Sequence, residues 1–373
     1  MAKLRQLIAH LERLAPPALQ ASYDNSGLLV GHPDIDVEGV LVSLDCTEEI
    51  IAEAVAVGAN VVVAHHPIVF SGLKRITGKT YVERTIIAAI KHDIAIYAIH
   101  TNLDSVLARG VNGRIADRLA LENVKVLSPS KNTLNKLAVY VPRENTEEVA
   151  QAMFEAGAGR IGDYDRASFR SDGIGTFHPL EGANPSIGEV GSDEHVKESK
   201  LEVVVPRVLA KAVLTAAKRV HPYEEMAYDL YALESNYPDY GMGAYGDLAE
   251  PMEHEEWMAF LCDAMELEAV KHTAPTGQLI KRVAVCGGVG SFLLPAAKGV
   301  GADVFVTADY KYHEFFDAEG KLIICDIGHY ESERFTIDLL FESISTRFDT
   351  FAARMTSRNT NPVRLYLPAG APH

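Results

Sequence analysis

Val61-Val62-Val63-Ala64 sets three β-branched residues and a small one in unbroken sequence, and the run stops at His65-His66-Pro67. An apolar run without alternation fits a strand covered on both faces in a parallel sheet, and proline cannot donate to the ladder that would continue it. The two histidines therefore stand at the carboxyl end of a buried strand, the edge where open α/β sheets collect their ligands. The same phrase recurs along the chain. Val40 to Leu44 ends in Asp45-Cys46-Thr47, with Thr47 placed to cap a helix; Ile94 to Ile99 follows a helix predicted over about 81–92 and ends in His100-Thr101-Asn102-Leu103-Asp104. Val304 to Val306 leads to Asp309 and His313, and Leu322 to Cys325 leads to Gly328-His329. Strands that alternate with helical segments predict an α/β fold.

The rhythm changes between about Asn132 and Ser235. Leu137-Ala-Val-Tyr-Val-Pro142-Arg143 returns as Leu201-Glu-Val-Val-Val-Pro206-Arg207, each copy followed by a helix-patterned segment and a further strand, roughly 167–177 and 226–234. Two such βαβ halves predict a ferredoxin-like α+β module, with Gly182 to Gly191 as a loop-rich hairpin between them. The expected architecture is a discontinuous three-layer α/β body, residues 1–131 and 237–373, interrupted by an inserted domain at 132–236.

Composition narrows the partners. Asp and Glu number 51 against 35 Lys and Arg, a net charge of −16 with no Lys/Arg-rich block, which disfavours nucleic acid and anionic membrane surfaces. The four cysteines, Cys46, Cys262, Cys286 and Cys325, form no Cys-x-x-Cys pair and read as buried free thiols of a reducing compartment. The first residues carry charge where a signal peptide needs its apolar core, and no run approaches the ~20 residues of a membrane span. A cytoplasmic location is expected.

The chemistry concentrates near the end of the chain. Ile337, Leu340, Phe341, Ile344 and Phe348 mark the core stripe of a long helix, and the stripe continued backwards meets Glu333 and then His329. A carboxylate on a buried face costs several kcal/mol unless a cation or hydrogen bonds compensate it, and His329 with Glu333 at i and i+4 has chelating geometry. If the topology is doubly wound, His65, His66, Asp104, His329 and Glu333 converge on the carboxyl edge of one sheet. Adjacent histidines splay apart, so each suits a different ion, and five ligands shared by two divalent ions leave open positions of the catalytic kind. Nitrogen and oxygen donors suit Zn, Fe, Mn or Co without choosing among them. His100 and His313, after their strand ends, are candidates for acid/base work, and Asp45 and Asp309 for orienting roles or helix caps. Gly287 to Ser291 has the look of a phosphate cradle but lacks a P-loop lysine. Lys74, Arg75 or Lys311 offers local positive charge for one phosphate.

Taken together, Asp24-Asn25-Ser26-Gly27-Leu28, His65-His66-Pro67, His100-Thr101-Asn102-Leu103-Asp104 and Gly328-His329-x-x-x-Glu333 resemble the dinuclear metal-centre proteins of the Ngg-interacting-factor-three-like family, whose members are often catalogued as homologues of GTP cyclohydrolase type two. The insert, with His221-Pro222-Tyr223-Glu224-Glu225, looks like the PII- or CutA-like domain of the long bacterial members. The resemblance implies that His65, His66, Asp104, His329 and Glu333 hold two metal ions, that Glu333 bridges them, and that the protein assembles as a toroidal homohexamer. The activity expected is metal-dependent hydrolysis of a small, possibly nucleotide, substrate. The alternative is a metal-binding regulatory, storage or delivery protein without turnover.

Overall fold

The structure, a computed structural model, describes residues 2–366 and resolves into two compact units. One contains the described residues up to Ser128 together with those from Asp239 onward; the other is Pro129–Pro238. The first part of the chain supplies β1 (Gly27–Val30), β2 (Gly39–Ser43), β3 (Val61–Ala64), β4 (Ala95–Ala98) and β5 (Glu122–Pro129). The second unit holds β6 (Leu134–Pro142), β7 (Phe169–Phe177), β8 (Glu194–Pro206) and β9 (Tyr228–Ala232). The chain then returns to the first unit with β10 (Gly241–Met252), β11 (Lys271–His272), β12 (Ile280–Val289), β13 (Val304–Ala308), β14 (Ile323–Asp326) and β15 (Ala352–Met355).

The first unit contains two sheets, where the sequence pattern pointed to one carboxyl edge. Five strands run in the order β1-β4-β3-β2-β15, with β15, β2, β3 and β4 mutually parallel and β1 antiparallel at the edge. The other sheet has six strands in the order β11-β14-β13-β12-β10-β5, parallel through β12, β13 and β14. Strands β2, β3, β4, β13 and β14 are buried at every position, as their unalternating apolar sequences require. Leu41, Ile50, Ile51, Val62 and Ile96 centre one core and Ala284, Phe305, Leu322 and Ile324 the other. Each large side chain fully buried in them contributes roughly 1.5–3 kcal/mol. Cys46, Cys286 and Cys325 are free and buried, and Cys262 is free and partly buried.

The second unit is a four-stranded antiparallel sheet, β7-β8-β6-β9, with helices Thr146–Glu155 and Ala210–Val220 packed through Val149, Met153, Val213 and Ala217 against Leu137, Val139, Leu201 and Val203. Its chain order, β-α-β-β-α-β, is the split βαβ arrangement, and residues 178–193 connect β7 to its antiparallel partner β8.

Three local expectations need correction. Thr47 stands at the N-cap of the helix Glu48–Ala56, yet its side chain makes no capping bond. Gly287 and Gly288 belong to β12, which continues to Val289 before a short turn and the six-residue helix Leu294–Gly299, so no helix starts at the glycines. The long final helix is two helices, His329–Glu333 and Thr336–Arg347, separated at Arg334 and Phe335. The Phe335 ring there is covered by the guanidiniums of Arg118 and Arg334, at 4.0 and 4.9 Å from its centroid, contacts that a sequence stripe cannot reveal. Among the described residues no helix is long and apolar enough to cross a membrane.

Candidate metal centre

His65 and His66 continue β3 by two backbone bonds, to the Ser43 and Leu44 carbonyls, before Pro67 ends the ladder. Asp104 closes the one-turn helix Thr101–Asp104 beyond β4. From the other sheet, β14 turns at Gly328, whose φ of +90° and lack of a side chain let the helix His329–Glu333 start at once. A Cβ at Gly328 would meet the Glu331 carboxylate at 2.3 Å. The carboxyl ends of two sheets, not of one, thus face each other across a single cluster. Asn112 ties the two sides, donating to the Asp104 carbonyl and accepting from the Gly287 amide, each at 3.0 Å.

Inside the cluster, Glu333 Oε2 lies 2.8 Å from His66 Nε2, 3.1 Å from His329 Nε2 and 3.9 Å from His65 Nε2. The two exposed-side imidazoles approach each other, Nε2 to Nε2, at 3.4 Å. His65 Nε2 stands 3.6 Å from Asp104 Oδ1. His66, His329 and Glu333 each offer a ligand atom within 4.8 Å of the others, as do His65, Asp104 and Glu333, so Glu333 belongs to both groups that can hold a cation. A third such group joins His100 to His65 and His66.

Every imidazole has its other nitrogen engaged. His65 Nδ1 donates to the Ile99 carbonyl at 2.8 Å, His66 Nδ1 to Asp45 at 2.8 Å and His329 Nδ1 to Asp309 at 2.7 Å. This arrangement fixes the tautomer that leaves Nε2 as the donor atom toward a cation. Asp45 is held in turn by the Thr360 hydroxyl at 2.6 Å. His100 follows the same rule: its Nδ1 donates to Asp24 at 2.8 Å, and the buried Asp24 carboxylate also accepts from Ser26 Oγ and from the amide and hydroxyl of Thr101. The role of Asp24, inside a string that the sequence displayed, was legible only as part of that string.

Charge follows position. Burial drives His65 down to about 3, against the pull of Glu333. For His66, burial is outweighed by hydrogen bonds to Asp45 and Glu333, which raise it to about 10. Burial of His329 is likewise outweighed by Glu333 and Asp309, giving about 9. Burial and the Glu333 charge push Asp104 well up. Glu333 resists its own burial through His329, His66 and His65 and stays well below the usual carboxylate range.

The donor set fits divalent ions on two observations. His65 Nε2 and Asp104 Oδ1 are buried and have no hydrogen-bond partner among the described residues, a costly state for polar atoms unless a cation lies between them. On the far side of Glu333, a Cβ at Gly288 would stand 2.4 Å from Oε1 and 3.3 Å from His329 Cε1, so the missing side chain makes the space in which this carboxylate sits. The glycine run thus serves close packing around Glu333 and not an anion. His313 stays outside the cluster, exposed beside Tyr312 and Phe316. Lys74 and Arg75 are exposed in the segment after Pro67, and Lys311 pairs with Glu314 at 3.7 Å.

A chain from Bacillus subtilis named GTP cyclohydrolase 1 type 2 homolog is 42% identical over 328 residues, 87% of this chain and 88% of the relative. A Halalkalibacterium halodurans chain of the same name is 42% identical over 325 residues, covering 87% of each. Among solved structures, a Bacillus cereus protein related to NIF3 superposes with a TM-score of 0.86 at 35% identity, covering 98% of this chain and 99% of that one. A Staphylococcus aureus protein superposes with a TM-score of 0.74 at 28% identity over the same shares. The model of the Duf34/NIF3 (NGG1p interacting factor 3) family matches residues 2–362, so the chain belongs to that family.

Proposed function

We propose that this protein binds two divalent metal ions through His65, His66, Asp104, His329 and Glu333, with Glu333 shared, and uses them to hydrolyse a small substrate. The observation that carries this reading is the buried, unpartnered pair His65 Nε2 and Asp104 Oδ1 beside a carboxylate that already faces two further imidazoles. Divalent ions held there supply Lewis acidity and ease the deprotonation of water. The chain's own groups do the rest. Ile99, Asp45 and Asp309 keep the three Nδ1 protons in place and so aim three Nε2 atoms inward. His100, fixed by Asp24, keeps Nε2 as the atom at which a proton can be held or passed on beside His65 and His66.

The relatives' name places a nucleotide among the substrates to assay first. The split βαβ topology of the insert supports a PII/CutA-like module, residues 132–236 in our reading, within the metal-binding body. We further propose a homohexameric ring in the cytoplasm. Purified protein is assayed for metal content and then against nucleotide and phosphoester panels. Metal-dependent turnover that disappears in both His65→Ala and Glu333→Ala supports the hydrolase. Tight metal without turnover on any panel replaces it with a storage, delivery or regulatory role, and absence of metal sinks both.

A further inference from the structure

We propose that the insert carries a second binding site, for a small organic phosphate, in the groove between the helix Ala210–Val220 and the edge strand β9. The groove is open to solvent and has a volume of about 470 Å³, within the range of roughly 300–1,000 Å³ typical of small-molecule sites. One wall is a cationic ridge: Arg207, Lys211 and Lys218 lie at intervals of four and seven residues along one helical face. The floor is apolar, built from Leu214 with Tyr228 and Leu230, both of which are substantially exposed. The strand register explains why they meet the helix. Leu230 pairs with Leu137 and Tyr228 with Val139, residues whose side chains belong to the helix-facing core, so all four share that face of the sheet.

An ordinary solvated helix face intersperses carboxylates with its cations so that neighbours at i+4 pair. Here the chain from Val203 to Tyr223 contains no acidic residue, although the whole protein has 51. No ion pair within 4.0 Å involves Arg207, Lys211 or Lys218 among the described residues, and Lys218 lies instead 5.2 Å from the centre of the Tyr228 ring. Arg207 and Lys211, one turn apart, exceed what one carboxylate needs and match a phosphoryl dianion, while Lys218, two turns further on, stands beside the aromatic floor. The exposed aromatic and leucines beside them match an apolar or flat body carried by that phosphate. In a protein of charge −16 such a site concentrates the anion locally against the field of the remaining surface. This site is independent of the metal centre, so either can fail without the other.

The test is calorimetric titration of the full chain at low ionic strength with three probes: phenyl phosphate, inorganic phosphate and benzoate. Phenyl phosphate is expected to bind more tightly than either of the others, because only it engages ridge and floor together. The double variant Lys211→Glu/Lys218→Glu is expected to weaken it by at least about tenfold, the loss of a charge-assisted contact. His65→Ala is expected to leave it unchanged. The proposal is overturned if phenyl phosphate gives no binding, if it binds the double variant as well as wild type, or if His65→Ala abolishes it. Equal affinity for inorganic phosphate, which has no body for the floor to hold, or for benzoate, which has no phosphoryl group, overturns it as well. Preference for a glutamate-rich peptide over phenyl phosphate, lost in the double variant, assigns the groove to a protein partner and also overturns it.

Discussion

A methyl group added to Gly288 would stand 2.4 Å from Oε1 of Glu333. The glycine also has φ of +62°, a conformation that costs other residues about 1–2 kcal/mol. Gly288→Ala should therefore lower stability by about that amount and, by displacing Glu333, reduce the metal bound after dialysis. Wild-type metal content in a folded Gly288→Ala variant would show that the carboxylate needs no such space.

Asp45 orients His66 without reaching the cluster itself. Loss of partners of this kind costs about 10–100-fold in metal affinity, so Asp45→Ala should weaken metal binding by that factor in a competition titration with a chromophoric chelator. Thr360→Ala, one bond further out, should have a smaller effect in the same direction. Unchanged affinity in Asp45→Ala would place His66 outside the binding set.

Chelator treatment should lower the midpoint of thermal unfolding, because a ligand bound only by the folded chain stabilises it by about 2.7 kcal/mol at a hundredfold excess over its dissociation constant. Restoring zinc or manganese should recover the midpoint in wild type. Glu333→Ala, lacking the carboxylate common to both groups, should show no recovery. A full metal response in that variant would contradict the shared role of Glu333.

The insert supplies a pH dependence of its own. His221 Nε2 donates to the Tyr140 carbonyl at 2.9 Å, and Nδ1 accepts the Tyr223 amide at 3.1 Å, so the neutral ring is satisfied at both nitrogens. Burial lowers its pKa from 6.5, outweighing the raising pull of Tyr140 and Glu198. The unfolded chain then takes the proton first. Stability from this group is complete above 6.5 and is lost as the pH falls through that value toward the lower folded one, by at most about 1.4 kcal/mol per unit. Urea titrations of the full chain between pH 7 and 5 should show a smaller loss in His221→Gln than in wild type; equal slopes would assign the change elsewhere.

Much of the scaffold was readable because buried parallel strands cannot alternate: Val61 to Ala64 and Ile323 to Cys325 have apolar residues at every position, and polar residues mark where each stops. His65, His66, Asp104, His329 and Glu333 come together for that reason. The division into two sheets was not readable, since it depends on which strands pair, and strand ends look alike whichever sheet they serve. The Phe335 ring at the break is covered by its neighbour Arg334 and by Arg118, which lies far upstream in sequence. His313 follows a strand as His100 does, but only His100 meets a buried carboxylate, and that carboxylate comes from Asp24, far upstream. The strand β10, rich in glycine and with Pro251 as its last residue but one, lacks the apolar signal that would have announced it.

His66 and Glu333 touch across 267 positions of sequence. During synthesis the ribosome releases the two imidazoles beyond β3 and then the whole of Pro129–Pro238 before the carboxylate common to two of the candidate ligand groups has been made. Under the proposed function, a polypeptide interrupted before Glu333 would hold cations weakly, and loading waits for that residue.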